Sequence, residues 1–490
     1  MNRAIGKVGT AVVALMLVLV GMLTYLQVIH AESLANDPRN VRGALRDINL
    51  PRGAIVTADG VVVAQSTRVD DRTEFDFQRS YPNAKLYQQV AGYQSFVLGS
   101  SGVERTYNDE LVGRGLGIQI RDPLGNILGG EEAVGTVVLS IRDDLQRAAA
   151  EALGDQRGSV VAIDPRTGEI LAMYSNPTYD QNPLAGHDTE KVNAFYKFLS
   201  ALPEKPDLAR AYRERYPPGS TFKTVTASVA LENGIATPGT EFPEVSSIDL
   251  PLTDDELDNF GGQVCGGTLA ESFRRSCNTT FGTLGLQLGE AFVPGMTRFG
   301  FNDVPPIDLV PSGALSTGPK AGSFQDNQPR FALAGIGQGD VAATPLEMCL
   351  VAAALANGGV IMEPHVVKEI RDSDGDVVRT IENREWKTAV TPATAAAVAS
   401  MMVDVVENGT GQAAQIDGVT VAGKTGTAQV GPGVDPHAWF VGFAPAGPGE
   451  IPEIAVAVIV ENGGSAGSEA TGGRIAAPIA AAVLRAYLGR

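Results

Sequence analysis

Apolar residues form one long unbroken run near the start of the chain. Residues 8–29 contain no charged side chain, and a run of this length can cross a bilayer as a helix. Arg3 and Lys7 precede the run, which predicts a cytoplasmic tail at residues 1–7 and an extracytoplasmic location for everything after residue 30. The end of the run lacks the small residues of a cleavage site. The pattern therefore favours an uncleaved anchor over the alternative of a cleaved signal peptide.

Residues 31–135 contain short β-branched runs separated by turn residues. The segment 54–64 has two such runs on either side of Asp59 and Gly60, and an Asp-Gly pair in this setting is typical of a β-hairpin. Glycines between residues 99 and 130 divide the remainder into further short elements. The pattern predicts a small, irregular, β-rich pedestal that lifts the next domain off the membrane.

Residues 136–490 alternate between strand-like and helix-like patterns. Ser140 is the predicted N-cap of a helix over 141–153, and the runs 158–164 and 169–173 predict an antiparallel hairpin in the centre of a sheet. Strand patterns at both ends of the region, with helices between them, predict one mixed α+β domain whose sheet joins the two ends. The other predicted elements are strands at 136–139, 419–422, 439–443 and 454–460, and helices at 346–357, at 392–407 and from Ile475 onwards.

Composition and charge exclude several classes of function. The chain has 490 residues, 44% of them hydrophobic, and a net charge of −18. A general nucleic-acid binder needs clustered lysine and arginine, so the sequence predicts no nucleic-acid partner. The four histidines and three cysteines lack metal-binding spacing, and we expect neither a metal site nor a cofactor. A disulfide between Cys265 and Cys277 is conceivable outside the cytoplasm, but spacing alone leaves it open.

A candidate nucleophile lies in the stretch 216–223, Tyr-Pro-Pro-Gly-Ser-Thr-Phe-Lys, which leads into an apolar run typical of a buried helix. Ser220 falls near the predicted helix N-terminus, where free backbone N–H groups favour a developing negative charge. Lys223 lies one turn further on the same face. A lysine can activate a hydroxyl when burial or a second cation lowers its pKa. Taken alone, this spacing also fits a capping serine beside a solvated lysine.

Two later motifs supply further groups for this chemistry. Ser276 could pass a proton between a lysine and a leaving group, and Asn278 could hydrogen-bond a substrate amide. Lys424, directly after the predicted strand 419–422, offers the second cation that would lower the pKa of Lys223.

The residues after Lys424 suggest a place for a ligand. Gly426 in an edge strand would permit close approach of a ligand backbone. Thr425 and Thr427 offer hydroxyls for a carboxylate, and the backbone N–H groups of Thr427 and Ser220 could form an oxyanion hole. The same residues could equally be ordinary strand-edge residues.

Three other matches fail on their context. Residues 418–425 fit the P-loop pattern, but the intervening residues are strand-like and no helix follows. Residues 463–467 fit the nucleophile-elbow pattern G-x-S-x-G, but a glycine-rich segment follows where a helix is needed. Cys277 as a thiol nucleophile has no histidine near it in the sequence.

The motifs S-x-x-K, S-x-N and K-T-G in this order are typical of penicillin-binding proteins and β-lactamases. With them, the chain closely resembles the class B penicillin-binding proteins over almost its whole length, and among these the actinobacterial penicillin-binding protein A group. It departs from relatives at residues 57–60, Thr-Ala-Asp-Gly, where an Asp-Arg-Asn/Asp-Gly turn is usual. The other matching segments are 52–55, 102–104, 168–173, 337–339, 344–346, 437–442 and 473–478.

The resemblance implies a penicillin-binding/β-lactamase-like transpeptidase domain at residues 136–490, with a central antiparallel sheet flanked by helices. It implies a peptidoglycan D,D-transpeptidase in which Ser220 attacks the carbonyl between the last two D-alanines of a stem peptide. Lys223 would take the proton of Ser220, and Ser276 would relay a proton to the departing D-alanine. A β-lactam would mimic the donor and trap Ser220 as an acyl-enzyme.

The resemblance also assigns the binding residues and partners. It implies that Asn278 holds the donor peptide and that the K-T-G segment binds the terminal carboxylate and stabilises the tetrahedral intermediate. The anchor and pedestal would let the protein pair with a membrane-embedded glycan polymerase of the SEDS type and with other cell-wall synthesis proteins. The residues of the K-T-G segment are Lys424, Thr425, Gly426 and Thr427.

Four alternatives are weighed against this function. A D,D-carboxypeptidase differs only in using water as acceptor, and the motifs do not separate the two. A β-lactamase would not need an anchor and a pedestal, and a bifunctional class A protein would need a glycosyltransferase domain for which the region before residue 136 is too short. A non-catalytic scaffold or β-lactam sensor is disfavoured because every motif residue is intact and the predicted cytoplasmic tail is too short for an output domain.

Overall fold

The N-terminal run forms a single long helix, as predicted. The computed structural model describes residues 2–30, 49–69, 75–115, 118, 134–322, 327–431 and 433–490, so part of the predicted pedestal and some of its glycines lie outside the described residues. The helix Asn2–Thr24 continues as a π-helical turn over Tyr25–Ile29. Its segment Gly6–Val28 is apolar, exposed and long enough to cross a membrane.

The predicted pedestal and the following region share one six-stranded sheet. The hairpin around Asp59 and Gly60 is confirmed, and its first strand also pairs in parallel with the predicted strand 136–139. The sheet therefore contains strands from both sides of residue 135, and later strands from near residue 370 extend it. In spatial order the strands are Val377–Thr380, Val367–Arg371, Thr136–Leu139, Ile55–Val56, Val62–Arg68 and Phe77–Ser80.

A buried carboxylate joins three segments of this region. Glu104 accepts a hydrogen bond from Arg52 Nε and another from Arg79 Nε, each at 2.6 Å, and all three side chains are buried. Tyr81 donates its hydroxyl to the same carboxylate at 3.2 Å. Burial alone would raise the pKa of Glu104, but the charges of Arg79 and Arg52 hold it below its ordinary value. The carboxylate is therefore ionised and fixes segments that are distant in sequence.

We expect Glu104→Gln to destabilise the protein by about 3–5 kcal/mol, because it leaves two buried guanidinium groups without a counter-charge. Urea unfolding of the full chain followed by circular dichroism measures the loss. The control is Glu110→Gln, which breaks a more exposed ion pair with Arg379 and should cost less than about 1 kcal/mol. Equal losses in the two variants would contradict the role of Glu104.

A five-stranded antiparallel sheet forms the core of the region after residue 136. Every residue of its strands except Asn176 and Thr427 is buried, and the side chains alternate between two apolar layers. Val161 packs on the side of the helix Pro345–Ala356, whereas Val160 packs on the side of the helices Asp143–Leu153 and Ala476–Leu488. In spatial order the strands are Ala422–Ala428, His437–Ala444, Ile454–Val460, Gly158–Ile163 and Ile170–Asn176.

Three details of the predicted elements are wrong. The strand predicted at 419–422 is instead Ala422–Ala428, so the K-T-G segment lies inside the strand and not after it. The second arm of the predicted central hairpin, Ile170–Asn176, forms an edge of the five-stranded sheet. Ser140 does not cap the next helix, because its hydroxyl donates to the carbonyls of Ile170 and His365.

The cap that Ser140 was expected to provide comes from the pedestal hairpin. The helix begins at Asp143, and the Asp143 N–H donates to Asp59 Oδ1 at 3.0 Å. A carboxylate at a helix N-terminus satisfies a free N–H and complements the helix dipole. The turn at Asp59 therefore ties the hairpin to the first helix of the next region.

The helices predicted at 346–357 and 392–407 are confirmed to within a residue, as Pro345–Ala356 and Pro392–Asn408. Several short strand pairs lie outside the two main sheets. The other helices are Ala84–Ala91, Gly102–Thr106, Asn108–Leu111, Thr189–Ala201, Arg210–Arg213, Lys223–Glu232, Leu269–Arg275, Asn278–Leu288, Phe292–Arg298 and Pro329–Gly335. The short strand pairs are Gln94–Ser95 with Gly99–Ser100, Glu241–Val245 with Cys265–Thr268, Ser247–Asp249 with Glu256–Asp258, and Val360–Met362 with Glu385–Thr388.

Candidate active site

Ser220 lies at the entrance to a buried helix, as the sequence predicts. It belongs to the 3₁₀ turn Gly219–Phe222, which runs directly into the helix Lys223–Glu232. Gly219 has a φ of +53°, and a side chain there would lie 2.9 Å from the carbonyl oxygen of Thr427. Ser220 is half-buried and lines a cleft of about 1060 Å³. The turn therefore presents the hydroxyl to a cavity beside the K-T-G strand.

Lys223 is completely buried behind this turn. Its Nζ donates to the carbonyl oxygen of Ser276 at 2.7 Å and to Asn278 Oδ1 at 2.8 Å, and lies 3.3 Å from Ser276 Oγ. Burial, reinforced by the charge of Lys424, lowers the pKa of Lys223 well below its ordinary value. Lys223 is therefore a buried amine with a lowered pKa that lies beside the Ser276 hydroxyl.

Lys424 reaches the same serine from the edge strand. Its Nζ donates to Ser276 Oγ at 2.9 Å and to the carbonyl oxygen of Thr425 at 3.0 Å. Burial lowers the pKa of Lys424 to about 7. Ser276 Oγ therefore lies between two lysine amines, which suits a group that passes protons.

Ser276 and Asn278 are held by a turn between two helices. Ser276 ends the helix Leu269–Arg275 in the left-handed conformation, and Asn278 begins the next helix. Asn278 Nδ2 donates to the carbonyl oxygen of Asp258 at 2.9 Å, while its Oδ1 accepts from Lys223. Its side-chain amide is therefore already oriented at the cleft that Ser220 lines.

The residue between Ser276 and Asn278 forms a disulfide. Cys277 is bonded to Cys265, so the pairing that spacing left open is present and Cys277 is not a free thiol. Cys265 begins the strand Cys265–Thr268, so the disulfide ties that strand to the turn carrying the S-x-N motif.

We expect the double variant Cys265→Ser/Cys277→Ser to lose on the order of 2–3 kcal/mol of stability, because the unfolded chain is no longer cross-linked. Its rate of acylation by benzylpenicillin should also fall, because the turn holding Ser276 is less constrained. Thermal unfolding measures the loss of stability, and a time course of benzylpenicillin adduct formation measures the acylation rate. The free, buried Cys349 provides the control, and Cys349→Ala should leave the acylation rate unchanged.

Gly426 allows the edge strand to pack closely against the turn that carries Ser220. A side chain at Gly426 would lie 2.9 Å from both the carbonyl oxygen of Pro218 and Cγ2 of Thr221. On its other side, a side chain at Gly472 would lie 2.6 Å from the Gly426 carbonyl oxygen. The sequence predicted close approach by a ligand backbone at Gly426. In the structure, the turn carrying Ser220 lies where a side chain at Gly426 would be, and the approach of a ligand backbone stays a prediction.

Thr425 and Thr427 have different surroundings. Thr427 lines the cleft together with Ser220, as the sequence predicts. The Thr425 side chain is buried, and its hydroxyl is 2.6 Å from that of Thr410. Thr425 does not contribute to the lining of the cleft. Thr410 is a residue that no motif in the sequence indicated.

Sequence reasoning also missed the groups that hold the segment before Ser220. Trp439 Nε1 donates to the carbonyl oxygen of Pro217 at 3.0 Å. The buried carboxylate of Glu461 accepts from the Tyr216 hydroxyl at 2.7 Å and from Arg210 Nε at 2.8 Å. Trp439 lies in a segment that carries the family resemblance, but its contact with Pro217 spans more than two hundred positions. No local pattern in the sequence signals such a contact.

The two rejected motifs have the structures expected of them. Residues 418–425 lead into the edge strand Ala422–Ala428 and are followed by another strand, so they form no phosphate-binding loop. Ser465 lies in a series of 3₁₀ turns over Glu461–Glu469, without a helix beginning at the serine. Neither segment competes with Ser220 as the reactive centre.

Comparison with known proteins agrees with this geometry. Residues 158–485 match the model for the penicillin-binding protein transpeptidase domain, and residues 52–138 match that for the penicillin-binding protein A dimerisation domain. The chain is 39% identical to the peptidoglycan D,D-transpeptidase PbpA of Mycolicibacterium smegmatis and 38% identical to that of Mycobacterium tuberculosis strain H37Rv, covering 100% of this chain and 99% of each relative.

Solved structures show the same fold. Penicillin-binding protein A from M. tuberculosis, as a ceftriaxone acyl-enzyme complex, superposes with a TM-score of 0.83 at 37% identity, covering 91% of this chain and 100% of that one. The penicillin G acyl-enzyme complex of the same protein gives a TM-score of 0.81 at 37% identity, covering 90% of this chain and 100% of that chain. This chain therefore belongs to the family of penicillin-binding proteins with a transpeptidase domain.

Proposed function

We propose that the protein is a peptidoglycan D,D-transpeptidase that works through a serine acyl-enzyme. The observation that carries this proposal is the convergence of Lys223 and Lys424, both buried and both with a lowered pKa, on Ser276 beside the Ser220 turn. A neutral amine can take the Ser220 proton while the hydroxyl attacks a carbonyl. The family membership makes a peptide bond between two D-alanines the proposed target.

The proposed acylation step conserves its atoms and protons. Ser220 Oγ bonds to the carbonyl carbon of the penultimate D-alanine, and Lys223 accepts the hydroxyl proton. The C–N bond then breaks, and a proton delivered through Ser276 leaves with the terminal D-alanine. The backbone N–H groups of Ser220 and Thr427 are proposed to stabilise the oxyanion that forms in between.

The proposed binding of the donor uses the two ends of the cleft. Lys424 and Thr427 would hold the terminal carboxylate, with Gly426 allowing the strand to approach the nucleophile turn. Thr425 would act by positioning the strand, since its hydroxyl pairs with Thr410. Asn278 would hold a donor amide through its oriented side chain.

An amine from a neighbouring stem peptide is proposed to resolve the acyl-enzyme and form the cross-link. The test supplies the full chain with stem peptides ending in D-Ala-D-Ala and with a stem peptide carrying a free side-chain amine. Mass spectrometry should detect a cross-linked dimer together with released D-alanine. Release of D-alanine with only the shortened monomer would show a carboxypeptidase, and no release from a folded sample would favour the scaffold.

We also propose how the protein sits in the cell. The helix over residues 8–29 would anchor it, residues 1–7 would lie in the cytoplasm, and a pedestal over residues 31–135 would place the catalytic domain of residues 136–490 outside the cytoplasm. A SEDS-type glycan polymerase in the membrane would be its partner. Protease protection in spheroplasts tests the orientation, since an extracytoplasmic domain is digested without lysis.

A further inference from the structure

A second cavity, of about 340 Å³, shares no lining residue with the Ser220 cleft. It lies between the helices Ala84–Ala91 and Thr189–Ala201, and the segment around Lys205 and Tyr212 completes its wall. Tyr196 in this wall is 40% exposed, so the cavity opens to solvent. A cavity of this volume can hold a small ligand.

Two glutamine side chains in the wall have unused hydrogen-bonding capacity. Gln88 is 5% exposed and Gln89 is 9% exposed. Gln88 Nε2 and Gln89 Oε1 have no partner among the residues that the structure describes, although Gln89 Nε2 donates to the carbonyl oxygen of Leu208 at 3.0 Å. Buried polar atoms are rarely left without partners. One donor and one acceptor in the two residues therefore remain unpaired within the wall of the cavity.

Three tyrosines add rings and hydroxyls to the same wall. Tyr93, Tyr179 and Tyr196 line the cavity, and within the described part of the chain none of their hydroxyls has a hydrogen-bond partner. Burial raises the pKa of Tyr93 to about 12 and raises that of Tyr179 further. These two hydroxyls consequently remain protonated and can both donate and accept.

The chemistry of this wall fits an uncharged ring with many hydroxyl groups. The side-chain amides and phenols supply donors and acceptors, and a tyrosine ring offers an apolar surface against which the C–H face of a sugar can pack. Charged side chains of both signs line the wall, Lys205 and Arg213 together with Asp207, so the wall is not built around a single charge. Ordered water alone would satisfy the amides but would leave the exposed ring of Tyr196 uncovered.

We propose that this cavity binds one pyranose sugar of a glycan strand, carrying hydroxyl or acetamido groups. This proposal rests on the proposed function only for the identity of the sugar, because the donor stem peptides of a transpeptidase are attached to glycan strands. Binding itself does not require an active Ser220. The cavity would therefore hold the glycan while the separate cleft acts on the peptide.

The test titrates the full chain, in a detergent without a sugar headgroup, with N-acetylglucosamine and its β-1,4-linked tetramer. Saturation-transfer difference NMR should show saturable binding that Tyr196→Ala weakens at least tenfold and Tyr179→Phe weakens several-fold. Phe198→Ala is the matched control, because Phe198 lies on the same helix and is 59% exposed, but is not part of the cavity. Protein already acylated by benzylpenicillin should bind the tetramer equally well.

Three results would overturn the proposal. The first is the absence of saturable binding to a folded protein, which would leave water as the occupant. The second is unchanged binding in both Tyr196→Ala and Tyr179→Phe, and the third is an equal loss in Phe198→Ala. Acylation by benzylpenicillin is measured on the same sample, so a failure of sugar binding is distinguishable from a failure of the proposed enzyme.

Discussion

Ser220→Ala is expected to abolish the covalent adduct that the full-length protein forms with benzylpenicillin. The wild-type chain should gain one penicilloyl group, because Ser220 Oγ opens the β-lactam ring and the ring nitrogen, which takes up a proton as the C–N bond breaks, stays tethered to the acyl group in the cleft. Alanine has no nucleophilic atom, so the rate of adduct formation should fall to background. Intact-mass spectrometry after incubation measures the fraction of chains that carry the adduct.

The control for this variant is a second serine of the same cleft. Ser468 lines the cleft and is exposed, and it is not among the described hydrogen-bond partners of Lys223 or Lys424. Ser468→Ala should therefore retain the stoichiometric adduct. An adduct that persists in Ser220→Ala, or one that is lost only in Ser468→Ala, would assign the nucleophile to another residue.

The chemistry of the site could be predicted because its decisive spacings are short. Ser220 and Lys223 are one helical turn apart, so local geometry already places them on one face. Ser276 and Asn278 flank a single residue and therefore belong to the same turn. The order of the three motifs then indicated the family. What the sequence could not provide was the distance between motifs, such as that from Lys424 Nζ to Ser276 Oγ, which only the fold determines.

The errors arose where a distant segment replaced a local interaction. Ser140 has the sequence context of a cap, but Asp59 takes that role from another hairpin. The six-stranded sheet likewise recruits Val367–Arg371 from far along the chain, which no periodicity could reveal. Long-range pairing therefore overrode local preference in each case.

The lowered pKa of Lys223 is the property on which the proposed acylation depends most. Nothing in the described structure around its Nζ is a carboxylate, since its partners are the Ser276 carbonyl, the Ser276 hydroxyl and the Asn278 amide. Burial therefore favours the neutral amine, and the Lys424 charge adds to that effect. The acylation rate should rise with pH as Lys223 loses its proton, and the midpoint of this rising limb gives the pKa of the base.

Lys223→Met is expected to slow acylation by benzylpenicillin about 10²- to 10⁴-fold, the range typical of losing a positioned general base. Methionine keeps the length and apolar stem of lysine, so the helix around residue 223 should remain packed, and circular dichroism checks this. The measurement is the second-order acylation rate from pH 5 to 9. The rising limb seen in the wild-type protein should disappear in the variant.

Lys424→Met distinguishes the role of the general base from the role of the second cation. Without the positive charge of Lys424, the pKa of Lys223 should rise, because one of the two causes that lower it is gone. The rising limb should therefore persist in Lys424→Met but move to higher pH, even though the loss of the proposed substrate-binding cation should slow the reaction at every pH. If the limb instead survived unchanged in Lys223→Met, another group would be the base. If it vanished only in Lys424→Met, the roles of the two lysines would be exchanged.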